Sequence, residues 1–412
     1  MIDRELDNAI ALGKSYGDQA TKHALFTRLR RADPVHWTEP DGVRPFWLLS
    51  RHADIVAVCR QNELFINGPR TRMLTIEYEE RVRKFRGGKT HLTRGLNQMD
   101  GAEHKKYRQV LANWFLPAQI RNLEAQCAAL ARRTFAELRE QGGECDLNEV
   151  IAYYPLRVIM GILGLPDADA PMLLRNTKVY FSGDDPDMQK GSDAIAAAQV
   201  FKDYFDLVAA DRLAHPRDDL ASLIAHATID DRPMNQYEST SMYVTFMGAG
   251  HDTTSATIAG GALALIQHPD QWRRLRDEPR HLDSTALDEI LRWVTPSNHK
   301  FRTASRDCEI RGTPIREGEA VMMVWPSANR DEEVFDDPFA FRVDRQPNRH
   351  VAFGGPGLHA CLGMHLAKLE MRCFYREMFE QVEGIELTGQ PAWVESAFVS
   401  GLKQLPVRVR FK

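Results

Sequence analysis

Residues 350–370, HVAFGGPGLHACLGMHLAKLE, set one cysteine after a run of glycines at the point where a helical pattern begins. Glycine has no side chain to hold a bulky neighbour away from the backbone, and from Leu362 apolar residues recur at helical spacing through Leu366 and Leu369. The pattern points to something large lying against Cys361. A thiol in the first turn of a helix faces backbone N–H groups without intrahelical partners and the positive end of the helix dipole, which favour thiolate over thiol and allow it to bind a metal. Taken alone, Cys361 reads as a small buried hydrophobe. The rest of the chain turns that reading.

The chain has 412 residues, 43% of them hydrophobic, enough for a large core, and no shift in composition divides it. One domain spanning residues 1–412 is expected. The longest apolar stretch, near Val158–Leu165, falls far short of the roughly 20 residues a membrane helix needs. The N-terminal MIDRELDNAIALGKSYG has neither a basic n-region nor an apolar h-region. These features predict a soluble, cytoplasmic chain. Cysteines 59, 127, 145, 308, 361 and 373 form no C-x-x-C pair, which argues for reduced thiols and against zinc-finger readings. The formal net charge is -4 with both signs interspersed, and no block of like charge suggests a nucleic-acid tail.

Helical patterns dominate. Segments 102–115, 117–140, 189–213, 234–268, 283–294 and 362–382 carry apolar residues at three- and four-residue intervals. Alternation around Asp41-Gly42 in VHWTEPDGVRPFWLLS predicts a hairpin, and Glu319–Trp325 a further strand. Residues 66–98, dense in Arg, Lys and Glu, are the least regular stretch and a candidate lid.

Three further motifs bear on chemistry. Glu289 and Arg292 lie three apart, on one helix face, where carboxylate and guanidinium can pair in a bidentate contact. Met247-Gly248-Ala249-Gly250-His251-Asp252-Thr253-Thr254 places two glycines inside a long helix at about 1 kcal/mol each relative to alanine, which calls for close approach to the backbone. Thr253 can bond back to the carbonyl of Ala249 and open the ladder there, while His251 reads as a structural histidine. In DGAEHKKYR, Asp100 can cap a helix with Glu103 three later, and His104 and Arg108 then share a face that can clamp a carboxylate.

The run Phe353-Gly354-Gly355-Pro356-Gly357-Leu358-His359-Ala360-Cys361-Leu362-Gly363 resembles the haem-thiolate signature of the cytochrome P450 superfamily, with one residue more between Phe353 and Cys361 than the common form. The other motifs follow in the family's order, and the resemblance covers nearly the whole chain. It implies a mainly α fold with a small β region and a haem b (iron protoporphyrin IX) ligated by Cys361. By the same resemblance, His104, Arg108, Arg302 and His359 hold the propionates. Glu289 and Arg292 become a buried structural pair. The family often adds a basic residue at the position of Ala340, a role open here to Arg342 or Arg345. Gly250 belongs to an oxygen-binding groove, with Asp252 and Thr253 delivering protons. Pocket positions are residues in 68–95 together with Phe246, Met247, Ala249, Val294, Ser297, Asn298, Phe398 and Val399.

The implied function is a monooxygenase that hydroxylates an apolar terpenoid, steroid or fatty-acyl molecule with O2. Its two electrons come from a ferredoxin and an NAD(P)H-dependent ferredoxin reductase, and the enzyme is expected as a monomer. Lys105, Lys106, Arg121, Arg345, Arg349, Lys368 and Arg372 flank the face where an acidic ferredoxin would dock. Arg70, Arg72 and Arg81 leave hydroxylation or demethylation of an organic or aromatic acid open. A peroxide-using haem enzyme is a further alternative, opposed by Asp252-Thr253. A haem gas sensor is opposed by the lack of a spare output segment.

Overall fold

The computed structural model describes residues 3–181, 185–189 and 193–412. Among the described residues, the helices include α1 (His52–Arg60), α2 (Ile76–Phe85), α3 (Gly101–Ala112), α4 (Glu124–Glu140), α5 (Leu147–Ile162), α6 (Ala194–Ala214), α7 (Gln236–Gln267), α8 (Ala286–Val294) and α9 (Met364–Gln381). Five strands make the main sheet: β1 (Val35–Thr38), β2 (Phe46–Leu49), β3 (Phe65–Ile66), β4 (His299–Ala304) and β5 (Ala320–Val324). Its order is β1-β2-β5-β4-β3, antiparallel throughout except for β2 beside β5. The predicted hairpin is the β1–β2 pair, in register from Val35 opposite Leu49 to Thr38 opposite Phe46.

The 32-residue helix α7 is the axis of the helical region. Asn235 starts it with a capping box: its side chain accepts the Glu238 N–H at 3.0 Å, and the Glu238 carboxylate accepts the Asn235 N–H at 2.8 Å. Small residues let neighbours approach. A Cβ on Gly260 would lie 2.8 Å from Val294 of α8, and one on Gly261 would lie 2.2 Å from the Tyr375 hydroxyl of α9. Tyr375 uses that approach to donate to the Ile258 carbonyl at 2.9 Å.

Several boundaries differ from the sequence reading. The 117–140 pattern is two helices, Pro117–Arg121 and α4, and 283–294 is likewise split into Arg280–Ser284 and α8. The 189–213 pattern corresponds to α6, with residues 190–192 outside the described set. The stretch 66–98 is not irregular throughout: α2, capped by Thr75, and a short 3-10 turn at Leu96–Gln98 lie inside it. Helix α5, which the sequence reading did not single out, is mostly buried, and Pro155 lies inside it. Among the described residues no helix is long and apolar enough to cross a membrane.

Candidate active site

Cys361 precedes α9 rather than opening it, since Gly363 is the N-cap and Met364 the first helical residue. The cysteine loop is a chain of turns: Gly354 N–H donates to the Val351 carbonyl at 2.9 Å, Ala360 N–H to Gly357 at 3.1 Å and Cys361 N–H to Phe353 at 3.0 Å. Gly354, Gly355 and Gly357 have φ of 90°, 69° and 140°, which side chains at these positions would strain. What lies against the glycines is α1. A Cβ on Gly355 would stand 3.0 Å from the Cys59 sulfur, and one on Gly357 only 2.2 Å from the Cys59 carbonyl. The close neighbour expected at this run is therefore protein at the glycines, while Cys361 itself opens into a cavity of about 750 Å³.

The protein packed around the cavity floor desolvates the Cys361 thiol and pushes it above its ordinary range although the side chain is open to the cavity, and the Gly363 N–H together with Arg108 and Lys300 pulls it back only in part. Position near a helix start does not by itself favour thiolate here. A bound metal cation would.

His104 of α3, Arg108 one turn later, Arg302 of β4 and His359 of the loop converge on one wall of this cavity. His104 is 1% exposed, and neither of its ring nitrogens meets a hydrogen-bond partner. Its ring lies 4.1 Å from that of His359. Arg108 donates to the Ala360 carbonyl at 2.9 Å, tying α3 to the loop, and Arg302 donates to its neighbour Phe301. Burial, then Arg302, His104 and Arg108, press the His359 pKa down to about 3, and Asp100, 3.9 Å from His359 Nε2, is the nearby carboxylate. Two buried carboxylates would satisfy these donors, and the cavity places Cys361 below the same space. The residues fit haem b. Asp100 does not cap α3 with its side chain; its carboxylate accepts the N–H groups of Asn67 and Gly68 at 2.8 and 2.7 Å, and Glu103 pairs with Arg94.

On α7, Phe246, Ala249, Gly250 and Thr253 share the cavity face, and Asp252 lines it too. Thr253 Oγ1 donates to the Ala249 carbonyl at 2.8 Å. Burial raises the Asp252 carboxyl to about 6, with Lys178 opposing it. His251 faces away, its Nε2 3.1 Å from the Ala152 carbonyl of α5, and burial drops its pKa to about 4. The close approach at Gly250 is made by Ile159, whose Cδ1 would sit 2.5 Å from an added Cβ.

Of the remaining pocket positions, Ser297, Phe398 and Val399 line the cavity, whereas Met247, Val294 and Asn298 do not. Met247 is fully buried on the opposite side of α7, Val294 packs on Gly260, and Asn298 donates to the carbonyls of Ser396 and Val399. These three belong to the core.

Glu289 and Arg292 are fully buried and bidentate, at 2.7 and 2.8 Å. Arg345 is the further basic partner: its Nε lies 3.1 and 3.2 Å from the two Glu289 oxygens, and its Nη atoms donate to the carbonyls of Asp336, Asp337 and Ala340. Arg342 offers Glu289 only its backbone N–H, at 2.9 Å. Arg345 is therefore unavailable for docking a partner. Lys106, Lys368 and Arg372 are paired with Asp230, Asp288 and Asp283, while Lys105, Arg121 and Arg349 are exposed.

Two cavity residues escaped sequence reasoning. Glu370 of α9 is 1% exposed, burial holds its carboxyl well above the ordinary range, and Oε2 is unpartnered; an acidic residue on the apolar side of the helix near Leu366 and Leu369 was its signal. Lys300, two residues before Arg302, shares that residue's face of β4, a strand the sequence reading lacked.

A family model described as Cytochrome P450 matches residues 187–383. Cytochrome P450-terp from a Pseudomonas species is 36% identical over 99% of this chain and 98% of that protein. A steroid C26-monooxygenase of Mycolicibacterium smegmatis is 31% identical over 92% of this chain and 88% of its own length. Among solved structures, CYP108D1 from Novosphingobium aromaticivorans superposes with a TM-score of 0.92 at 36% identity, covering 100% of both chains. CYP268A2 of Mycobacterium marinum, in complex with pseudoionone, gives 0.89 at 31% identity over 96% of this chain and 97% of that one.

Proposed function

The chain belongs to the cytochrome P450 family, and from that premise we propose that it hydroxylates an apolar terpenoid, steroid or fatty-acyl molecule with electrons from a ferredoxin. It is an oxidoreductase of the monooxygenase class with haem b as cofactor. The observation that carries the substrate reading is the cavity wall opposite Cys361, where Phe246, Ala249, Ser297, Phe398 and Val399 offer mostly apolar surface. Relatives named for steroid and methyl-branched lipid oxidation, and a structural neighbour bound to pseudoionone, support the same class.

Haem b, when bound, supplies the oxygen activation and C–H oxidation. Cys361 would ligate its iron, and His104, Arg108, Arg302 and His359 would hold its carboxylates. The protein's own residues shape and time the reaction. The apolar wall orients substrate and excludes water. Asp252, with a carboxyl at about 6, can both take and release a proton near neutral pH, and the Thr253 hydroxyl, anchored to Ala249, presents a hydrogen bond at the same surface.

For electron supply, exposed Lys105, Arg121 and Arg349 suit an acidic ferredoxin, with a reductase drawing on NAD(P)H, in a monomeric enzyme of the cytoplasm. The test is to screen apolar compounds for a low-spin to high-spin shift and then follow ferredoxin-driven NAD(P)H oxidation with and without the hits. Hydroxylated product formed in step with NAD(P)H use is expected. Turnover supported by hydrogen peroxide alone would overturn the reading.

A further inference from the structure

The substrate cavity carries more positive charge than cofactor binding uses. Of its cations, Arg108 and Arg302 stand on the cofactor wall with His104 and His359. Arg70 is held against the sheet: Nη1 donates to the Pro45 carbonyl at 3.2 Å, and its guanidinium stacks 4.3 Å over Phe301 and 5.2 Å over Phe46, while Nε and Nη2 are buried without a partner. Arg81 does not line the cavity and is taken by Asp193, and Arg83, which lines it, is an exposed residue. Lys300 and Arg72 differ. Lys300 Nζ lies 4.6 Å and Arg72 Cζ 5.5 Å from the centroid of one ring, Phe398, which lines the substrate side. Among the described residues neither forms an ion pair. The nearby acids are occupied: Glu79 pairs with Arg44 at 2.7 Å, and Glu319 accepts from Trp47 at 2.7 Å and from the Arg316 N–H at 2.9 Å.

We propose that Lys300 and Arg72, gathered over Phe398, are a clamp for a substrate carboxylate, so that the preferred substrate is an apolar molecule ending in an acid. This rests on the monooxygenase reading, since it takes substrate to lie in the cavity shared with Cys361. Two cations brought to one apolar ring repel each other, and an anion between them reverses that cost. Burial first, then the repulsion of Arg72 and Arg302, lowers the Lys300 ammonium to about 8, with Cys361 opposing in part. Phe398 favours both heads through its ring face, and the Tyr78 hydroxyl beside Arg72 is a neutral neighbour that leaves the charge uncompensated. The same carboxylate chemistry could come from a haem propionate. The substrate is the better source because His104, Arg108, His359 and Arg302, Lys300's neighbour on β4, are already four donors that would hold the cofactor's two carboxylates.

The test is calorimetric titration of the haem-loaded enzyme with decanoic acid and with 1-decanol, which differ only at the head group. Wild type should bind the acid at least about tenfold tighter, the worth of one charge-assisted contact. Lys300→Met and Arg72→Leu should each reduce that preference to within about twofold and leave alcohol binding unchanged, whereas Lys300→Arg should retain it. Haem transfer to apomyoglobin is measured in parallel. If Lys300→Met speeds haem loss and affects acid and alcohol alike, the lysine serves a propionate and the proposal is overturned. Equal affinity for acid and alcohol in wild type, or no acid binding, overturns it as well. Failure of the haem-thiolate reading would show separately, as a wild-type protein without the red-shifted carbon monoxide band.

Discussion

Replacing Arg345 by methionine keeps the length and apolar stem of the side chain but removes a guanidinium that is 4% exposed and touches both oxygens of a carboxylate with no exposure at all. Breaking a buried ion pair costs about 3–5 kcal/mol. Glu289 retains Arg292 at 2.7 Å and the Asn348 amide at 3.1 Å, which favours the lower end of that range. The carbonyls of Asp336 and Asp337 also lose their Arg345 donors, at about 1 kcal/mol each. The sum is a loss of roughly 5 kcal/mol. Arg342→Met is the control: that side chain is 43% exposed and meets Asp344 only at 3.9 Å, so its loss should fall within about 0.5 kcal/mol. Urea unfolding followed by tryptophan fluorescence, with haem retention as a second probe, compares the two. Equal losses, or less than about 1 kcal/mol for Arg345→Met, would refute the assignment of Arg345 as the buried partner.

The folded Asp252 carboxyl stands at about 6 against an ordinary 3.8, so its contribution to stability is complete below pH 3.8 and disappears as pH rises through 6. Asp252→Asn should therefore gain stability relative to wild type between pH 4 and pH 7, by at most about 3 kcal/mol, in paired urea titrations; a difference independent of pH counts against the burial argument. Thr253→Ala should leave haem content and the substrate-induced spin shift nearly intact while more NAD(P)H ends as hydrogen peroxide and less as product. Full coupling with a substrate that carries no hydroxyl would contradict the placement of Thr253 at the reacting surface. Ferredoxin reduction of the enzyme should slow as salt rises, since charge reaches only about 8 Å at physiological ionic strength. Lys105→Glu should mimic the effect, and salt-independent reduction removes the electrostatic docking argument.

What the sequence made legible was local. A capped, periodic helix such as α7, the Asp41-Gly42 hairpin and the i,i+3 pair Glu289–Arg292 depend on neighbours within a few residues. Distance in sequence hid the rest. Arg345 reaches Glu289 across 56 positions, so nothing local separated it from Arg342. Met247, Val294 and Asn298 are apolar or small residues in the right segments, but which way they face is fixed by α7 packing on α5 and α8 and by the carbonyls of the 396–399 segment. Gly250 and the glycines before Cys361 were legible as points of close approach, yet the approaching groups, Ile159 and Cys59, lie 91 and nearly 300 residues away.

The central claim is that Cys361 is the thiolate that holds the haem iron. Its most direct test is the spectrum of the reduced protein under carbon monoxide, before and after Cys361→Ala. Wild type should show the strongly red-shifted Soret band of an anionic sulfur opposite the gas, and the variant should lose it while the other five cysteines remain. A variant that keeps the band would place the iron on another cysteine and contradict the site described above.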